Sequence, residues 1–82
     1  MQKNEIISKV NEYLVEEFEL EENQITPEAR LRDDLEIQSL DFVDIAVIIE
    51  KEFGFKLAGE DMVGVITLED LYNLIYDKIN NN

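Results

Sequence analysis

Apolar residues recur at helical spacing in three separate stretches of this 82-residue chain. In a sequence with one proline and three glycines, that recurrence points to a helical fold. At about 100° per residue, Ile6, Ile7, Val10, Tyr13, Leu14 and Phe18 share one face of a first helix, and Ser8, Lys9, Glu12 and Glu16 take the other. A second helix is expected from Ser39 to Phe53, with Gly54 placed to adopt the left-handed conformation that commonly ends a helix. Thr67 and Asp70 resemble a capping box, with Asp in place of the usual Glu, and so mark the start of the last helix. There Leu68, Leu71, Tyr72, Ile75 and Ile79 line one face, opposite Glu69, Asp70, Asn73 and Asp77. Between the second and last helices, Phe55 and Leu57 are placed to drop into the core, and Glu60 to Val63 to form a short helical turn. Each single-stripe helix needs a partner to cover it. The expected fold is therefore all-α, a small bundle of three main helices plus one short one.

The segment ELEENQITPEARLRDDLEI, residues 19–37, mixes acids, the proline and isolated apolar residues without a sustained period, and reads as a long loop between helices 1 and 2. Ile25, Ala29, Leu31, Leu35 and Ile37 are its expected anchors in the core, and Arg30 and Arg32 are expected to pair with nearby acids. No repeat, linker or break in composition divides the chain, so residues 1–82 read as one domain with a polar tail at 80–82. A chain of this size buries only roughly 60% of the surface its unfolded form exposes, enough for one modest core.

Charge and residue types narrow the function. Seven Lys plus Arg against twenty Asp plus Glu give a formal net charge of −13, which repels nucleic acid phosphates and anionic lipid and favours partners with basic patches. With no His and no Cys there is no disulfide, no thiolate or imidazole metal site, and no Ser/His or Cys/His catalytic pair. The acids around Asp33 lack the glycine and regular ligand spacing of a calcium loop. The longest apolar run, Ile45 to Ile49, falls far short of the ~20 residues that span a bilayer, and the first residues lack the pattern of a secretory signal. A cytoplasmic, non-catalytic protein is the expectation.

The second helix carries more apolar residues than one core stripe requires. Phe42, Ile45, Ala46, Ile49 and Phe53 fall within an arc of about 100°, the width of a core-facing stripe. Leu40, Val43 and Val47 lie on a different side, among Asp44, Glu50 and Lys51. An apolar strip edged by acids suits docking to a basic partner, but packing against the long loop, with the acids as a solvated face, accounts for it equally well. Ser39 at the start of this helix also has two readings. Serine is a favoured N-cap, and a helix start with free N–H groups favours a phosphate held there.

The stretch LRDDLEIQSLDFVDIAVIIEKEFGFKL, Leu31 to Leu57, resembles the central signature of acyl carrier proteins. The matching features are Asp34-Leu35, Ser39-Leu40, Asp41, Val43, Asp44, Glu50 and Phe53, and the first helix, the ITPEARL approach and the Thr67 start of the last helix occur in the expected order. The resemblance implies that Ser39 is the attachment point of 4′-phosphopantetheine, transferred from coenzyme A by a separate phosphopantetheinyl transferase. It implies that Gln38, Leu40, Asp41, Val43, Asp44 and Val47 face partner enzymes with basic patches, which load and process the acyl group in fatty acid or polyketide-type synthesis. It also implies a monomer whose bundle interior shelters an acyl chain, with Ala46 and the core stripe of the second helix as lining. A carrier needs no His or Cys of its own, because the reactive thiol belongs to the arm.

Two departures stand out. The family usually has Asp before the serine and a glycine two residues before that Asp, where this chain has Gln38 and Glu36; and Lys51 places a positive charge on an otherwise acidic helix. A carrier for aminoacyl or other specialised cargo, or an unmodified acidic adaptor with Ser39 as a plain cap, are the competing readings.

Overall fold

The computed structural model describes residues 2–57 and 59–80, with the backbone but not the side chain of Ser39. Met1, Ala58, Asn81 and Asn82, and with them the ends of the expected single domain and most of the expected tail, lie outside the described residues. Helix α1 runs Lys3–Phe18 and stops where Glu19 turns left-handed at φ 53°. Its apolar stripe is buried as its spacing requires, with Ile6, Val10 and Leu14 inside and Ile7, Tyr13 and Phe18 partly covered.

The partner of that stripe is the last helix, α4 (Leu68–Asn80), which buries Leu68, Leu71, Tyr72 and Ile75 and packs on α1. Each such aliphatic side chain removed from water contributes ~1.5–3 kcal/mol before conformational entropy is counted. Polar contacts fix the pairing. The Tyr72 hydroxyl donates to Asn11 Oδ1, and Lys3 Nζ donates to Asn73 Oδ1 at 2.7 Å. Burial pushes the Tyr72 phenol up to about 12. The start of α4 is the expected capping box: Asp70 Oδ2 accepts the Ile66 and Thr67 backbone N–H groups at 3.1 Å, and the Asp70 N–H donates to Thr67 Oγ1 at 3.2 Å. Those backbone hydrogen bonds hold the Asp70 carboxyl below the usual carboxylate range. At the other end, α4 takes in Asn80, which the sequence places in a tail; its side-chain amide donates to the Tyr76 carbonyl at 2.9 Å and prolongs the last turn.

Helix α2 spans Ser39–Phe53 and ends on Gly54 at φ 76°, whose N–H bonds the Glu50 carbonyl at 2.9 Å. The short helix α3, Gly59–Val63, packs against α2. Five residues are far fewer than the ~12–15 an isolated helix needs, so α3 exists through its tertiary contacts. Buried Met62, the buried Val65 that follows, and a half-buried ion pair from Asp61 to Lys78 of α4 at 3.3 Å supply them.

The segment between α1 and α2 is not structureless. A 3-10 turn at Glu22–Gln24 interrupts the expected loop, because the Gln24 side chain accepts the Glu21 backbone N–H at 2.9 Å and closes a turn with no apolar period to advertise it. Beyond it the chain is held by long-range backbone bonds. Leu31 N–H donates to the Ile66 carbonyl, Leu68 N–H to that of Ala29 and Glu69 N–H to that of Pro27, each at 3.0 Å, around an antiparallel bridge between Arg30 and Thr67. Ala29, Leu31, Leu35 and Ile37 are buried and Ile25 is partly covered, so all five expected anchors reach the core.

Candidate functional site

The approach to α2 is built one residue at a time. Asp34 closes a turn by accepting the Arg30 backbone N–H at 2.8 Å, while the Asp34 and Leu35 N–H groups return to the Arg30 carbonyl at 2.9 and 3.1 Å. Leu35 and Ile37 are both buried, and the Ile37 N–H bonds the Leu31 carbonyl at 2.8 Å. Between those two anchors Glu36 must take a left-handed φ of 57°. Glu36 occupies the position at which the resemblance leads one to expect glycine, and the backbone retains the conformation a glycine favours. With Leu35 and Ile37 anchored in the core, Ser39 follows as the first residue of α2.

The reading of Ser39 as the N-cap is corrected here. The cap is Gln38, in extended conformation at φ −82° and ψ 162°, with its carbonyl accepting the Asp41 N–H at 3.0 Å. Asp41 reaches back, its carboxylate accepting the Gln38 backbone N–H, also at 3.0 Å. Helical geometry therefore begins at Ser39, and a residue already in the helix does not serve as its cap. The Ser39 side chain itself lies outside the described residues.

From this start an apolar strip runs along the outside of α2. Leu40 is 83% exposed, Val43 63% and Val47 45%, as the second arc on the helix requires. Gln38 and Asp44 are also exposed, while Asp41 is half-buried by its capping role. Tyr13 belongs to this neighbourhood too. Its phenol is pushed up first by burial and then by the charges of Glu17, Asp44 and Asp41, so it feels the acids of α2 as well as one of its own helix. The sequence shows only that Tyr13 lies on the apolar face of its own helix.

Beside the strip, α2 and α3 frame a groove of about 680 Å³, within the range of small-molecule sites. Phe42 and Ala46 form one wall and Met62 and Val65 the other, with Arg30, Arg32, Asp33 and Glu50 at the margin. Of the residues expected to line an acyl shelter, Ala46 and Phe42 face the groove, whereas Ile45 and Ile49 are sealed in the core. The space opens to the surface and is not enclosed in the bundle interior, since Val43, Val63 (82% exposed) and Ile66 (61%) line it and remain largely in water. Val63 and Ile66 are residues that sequence reasoning missed. A five-residue helix followed by a loop has no period from which to read a face, and among apolar neighbours such as Met62 and Val65 their own apolar character singles out neither.

Among the described residues, no group of three or more His, Cys, Asp or Glu side chains converges to hold a metal ion, and no helix is long and apolar enough to cross a membrane. The chemistry on offer is that of a fixed helix start, an apolar strip and acids, with no imidazole or thiol anywhere in the chain.

Residues 8–75 match the family model described as phosphopantetheine attachment site. Acyl carrier proteins of Petrotoga mobilis and Thermotoga maritima are 35% and 39% identical over 80 and 77 residues, covering 98% and 94% of this chain and 94% and 95% of theirs. That of Rubrobacter xylanophilus is 31% identical over 77 residues, with 94% of this chain and 95% of the relative covered. This chain belongs to the acyl carrier protein family. The carrier holds acyl intermediates as thioesters on a covalently attached 4′-phosphopantetheine arm, and the arm, when bound, supplies the thiol that a sequence without cysteine lacks. The site fits such a group: Gln38 and Leu40, on either side of the first helical residue, are both exposed, and a groove with apolar walls begins further along α2 at Phe42 and Val43. Carriers of this family work with transferases and biosynthetic enzymes that supply the catalysis.

Proposed function

We propose that Ser39 bears the arm and that Gln38, Leu40, Asp41, Val43, Asp44 and Val47 form the surface on which partner enzymes dock. The observation that carries this reading is the exposed strip of Leu40, Val43 and Val47 beginning one residue after Ser39 and bordered by acids. Burying that strip supplies affinity, and the acids, on a chain of net charge −13, draw a basic partner into register. The chain is itself non-catalytic, since it has neither His nor Cys to pair with a nucleophile. It acts as a cytoplasmic monomer, modified by a phosphopantetheinyl transferase and loaded by enzymes of fatty acid or polyketide-type synthesis. The groove between α2 and α3 shelters part of the acyl chain.

Asp44 is the residue with which to test docking, because its exposed carboxylate takes no part in the helix cap, which Asp41 and Gln38 form. Asp44→Lys is expected to lower kcat/KM for arm transfer from coenzyme A, with the loss largest at low ionic strength and shrinking as salt is added. Unchanged kinetics at low salt would remove the electrostatic docking model.

A further inference from the structure

Acids outnumber bases by twenty to seven over the whole chain, yet the margin of the α2–α3 groove carries Arg30 and Arg32 against Asp33 and Glu50. A negatively charged group brought to the protein's surface at large meets repulsion. At this margin it meets guanidinium groups beside apolar walls. Their position is set by the fold, since Leu31, between the two arginines, donates its N–H to the Ile66 carbonyl at 3.0 Å, and Ile66 itself lines the groove. Arg30 pairs with Asp33 at 3.6 Å, with both side chains well exposed. A long, solvated ion pair of that kind contributes little, so the guanidinium can exchange it for a better carboxylate at small cost. Arginine suits such an exchange because its planar fork accepts a carboxylate in two parallel hydrogen bonds.

We propose that the groove is adapted to an acyl chain that bears a carboxylate in addition to its thioester, the apolar walls taking the hydrocarbon and Arg30 and Arg32 taking the anionic group. This rests on the reading of Ser39 as the arm's attachment point and of the groove as the acyl shelter. A plain alkyl chain uses the walls alone and leaves the Arg30–Asp33 pair in solvent.

The test loads the whole protein, by a transferase acting on the corresponding coenzyme A thioesters, with either octanoyl-pantetheine or its terminal-carboxylate counterpart, suberyl-pantetheine. Melting temperatures of the two loaded forms are compared in wild type and in the Arg30→Gln/Arg32→Gln variant. Comparing the two cargoes within each background removes any effect of the substitutions on the fold itself. In wild type the suberyl form is expected to melt at least as high as the octanoyl form. In the double variant it is expected to fall several degrees below. A wild-type suberyl form that melts below the octanoyl form, or a difference between cargoes that is the same in both backgrounds, overturns the proposal. Failure of wild type to gain the mass of either acyl-pantetheine group refutes the attachment reading instead, and the cargo proposal with it.

Discussion

Two acids one turn apart on α2 make different contributions, and separating them tests how the site is built. Asp41 accepts the Gln38 backbone N–H at 3.0 Å and is half-buried, whereas Asp44 is exposed with no such bond. Asp41→Ala removes the reach-back bond at the helix start, and losses of this kind cost ~1 kcal/mol. For a domain of this size that corresponds to a fall in Tm of about 4–8 °C. Asp44→Ala removes only a surface charge, which leaves stability within about 0.5 kcal/mol. Relief of repulsion in a chain of net charge −13 biases that small change towards stabilisation. Thermal melts followed by circular dichroism at low salt resolve the difference, and transferase kinetics on the same samples should show both variants impaired, because both lie on the docking surface. Equal Tm values for Asp41→Ala and wild type would refute the cap assignment. An Asp44→Ala variant as destabilised as Asp41→Ala would show that the distinction between structural and docking acids is wrong.

Other outcomes follow from the same geometry. Glu36→Gly should relieve a left-handed residue costing ~1–2 kcal/mol, offset in part by glycine's greater freedom when unfolded, so a rise of a few degrees in Tm is expected; a fall contradicts strain at this position. Gly54→Ala should cost ~1 kcal/mol for the opposite reason, through φ 76° alone, as the space around it is open. The Asp70 carboxyl is depressed in the folded state, so its contribution is present above the unfolded carboxylate range and is lost as pH falls through the folded value; in Asp70→Asn, acid titration of stability should lose that component. Tyr72, raised to about 12, acts in the other direction: its contribution is intact below the unfolded phenol value and is lost between about pH 10 and 12, a slope that Tyr72→Phe should abolish in alkaline melts.

The helix faces were legible because a period of about 3.6 residues survives in any sequence that must bury one stripe, and α1, the core side of α2 and α4 all obey it. Thr67 and Asp70 were equally legible, since both are ordinary capping residues at the expected separation. The cap of α2 was not. Gln38 is an uncommon cap standing beside a common one, and only the Asp41 carboxylate bonding to the Gln38 N–H decides between them. Tyr13 could be placed on its own helix, but not within the influence of Asp41 and Asp44, because that depends on tertiary structure and not on the period of either helix. The same holds for the groove. Its α3 side depends on Met62, Val63, Val65 and Ile66 coming together on a segment too short to show a pattern, held there by backbone bonds to residues more than thirty positions earlier. The glycine missing at Glu36 was visible as a departure from the resemblance, and its meaning became clear once the backbone showed the left-handed turn preserved.

The central claim is that Ser39 is where the arm is attached, and intact-mass spectrometry tests it most directly. After incubation with coenzyme A and a phosphopantetheinyl transferase, the wild-type protein should gain the mass of one phosphopantetheine group. Ser39→Ala, folded by circular dichroism, should gain none. A wild-type protein of unchanged mass, or a Ser39→Ala protein that is still modified, would contradict the account.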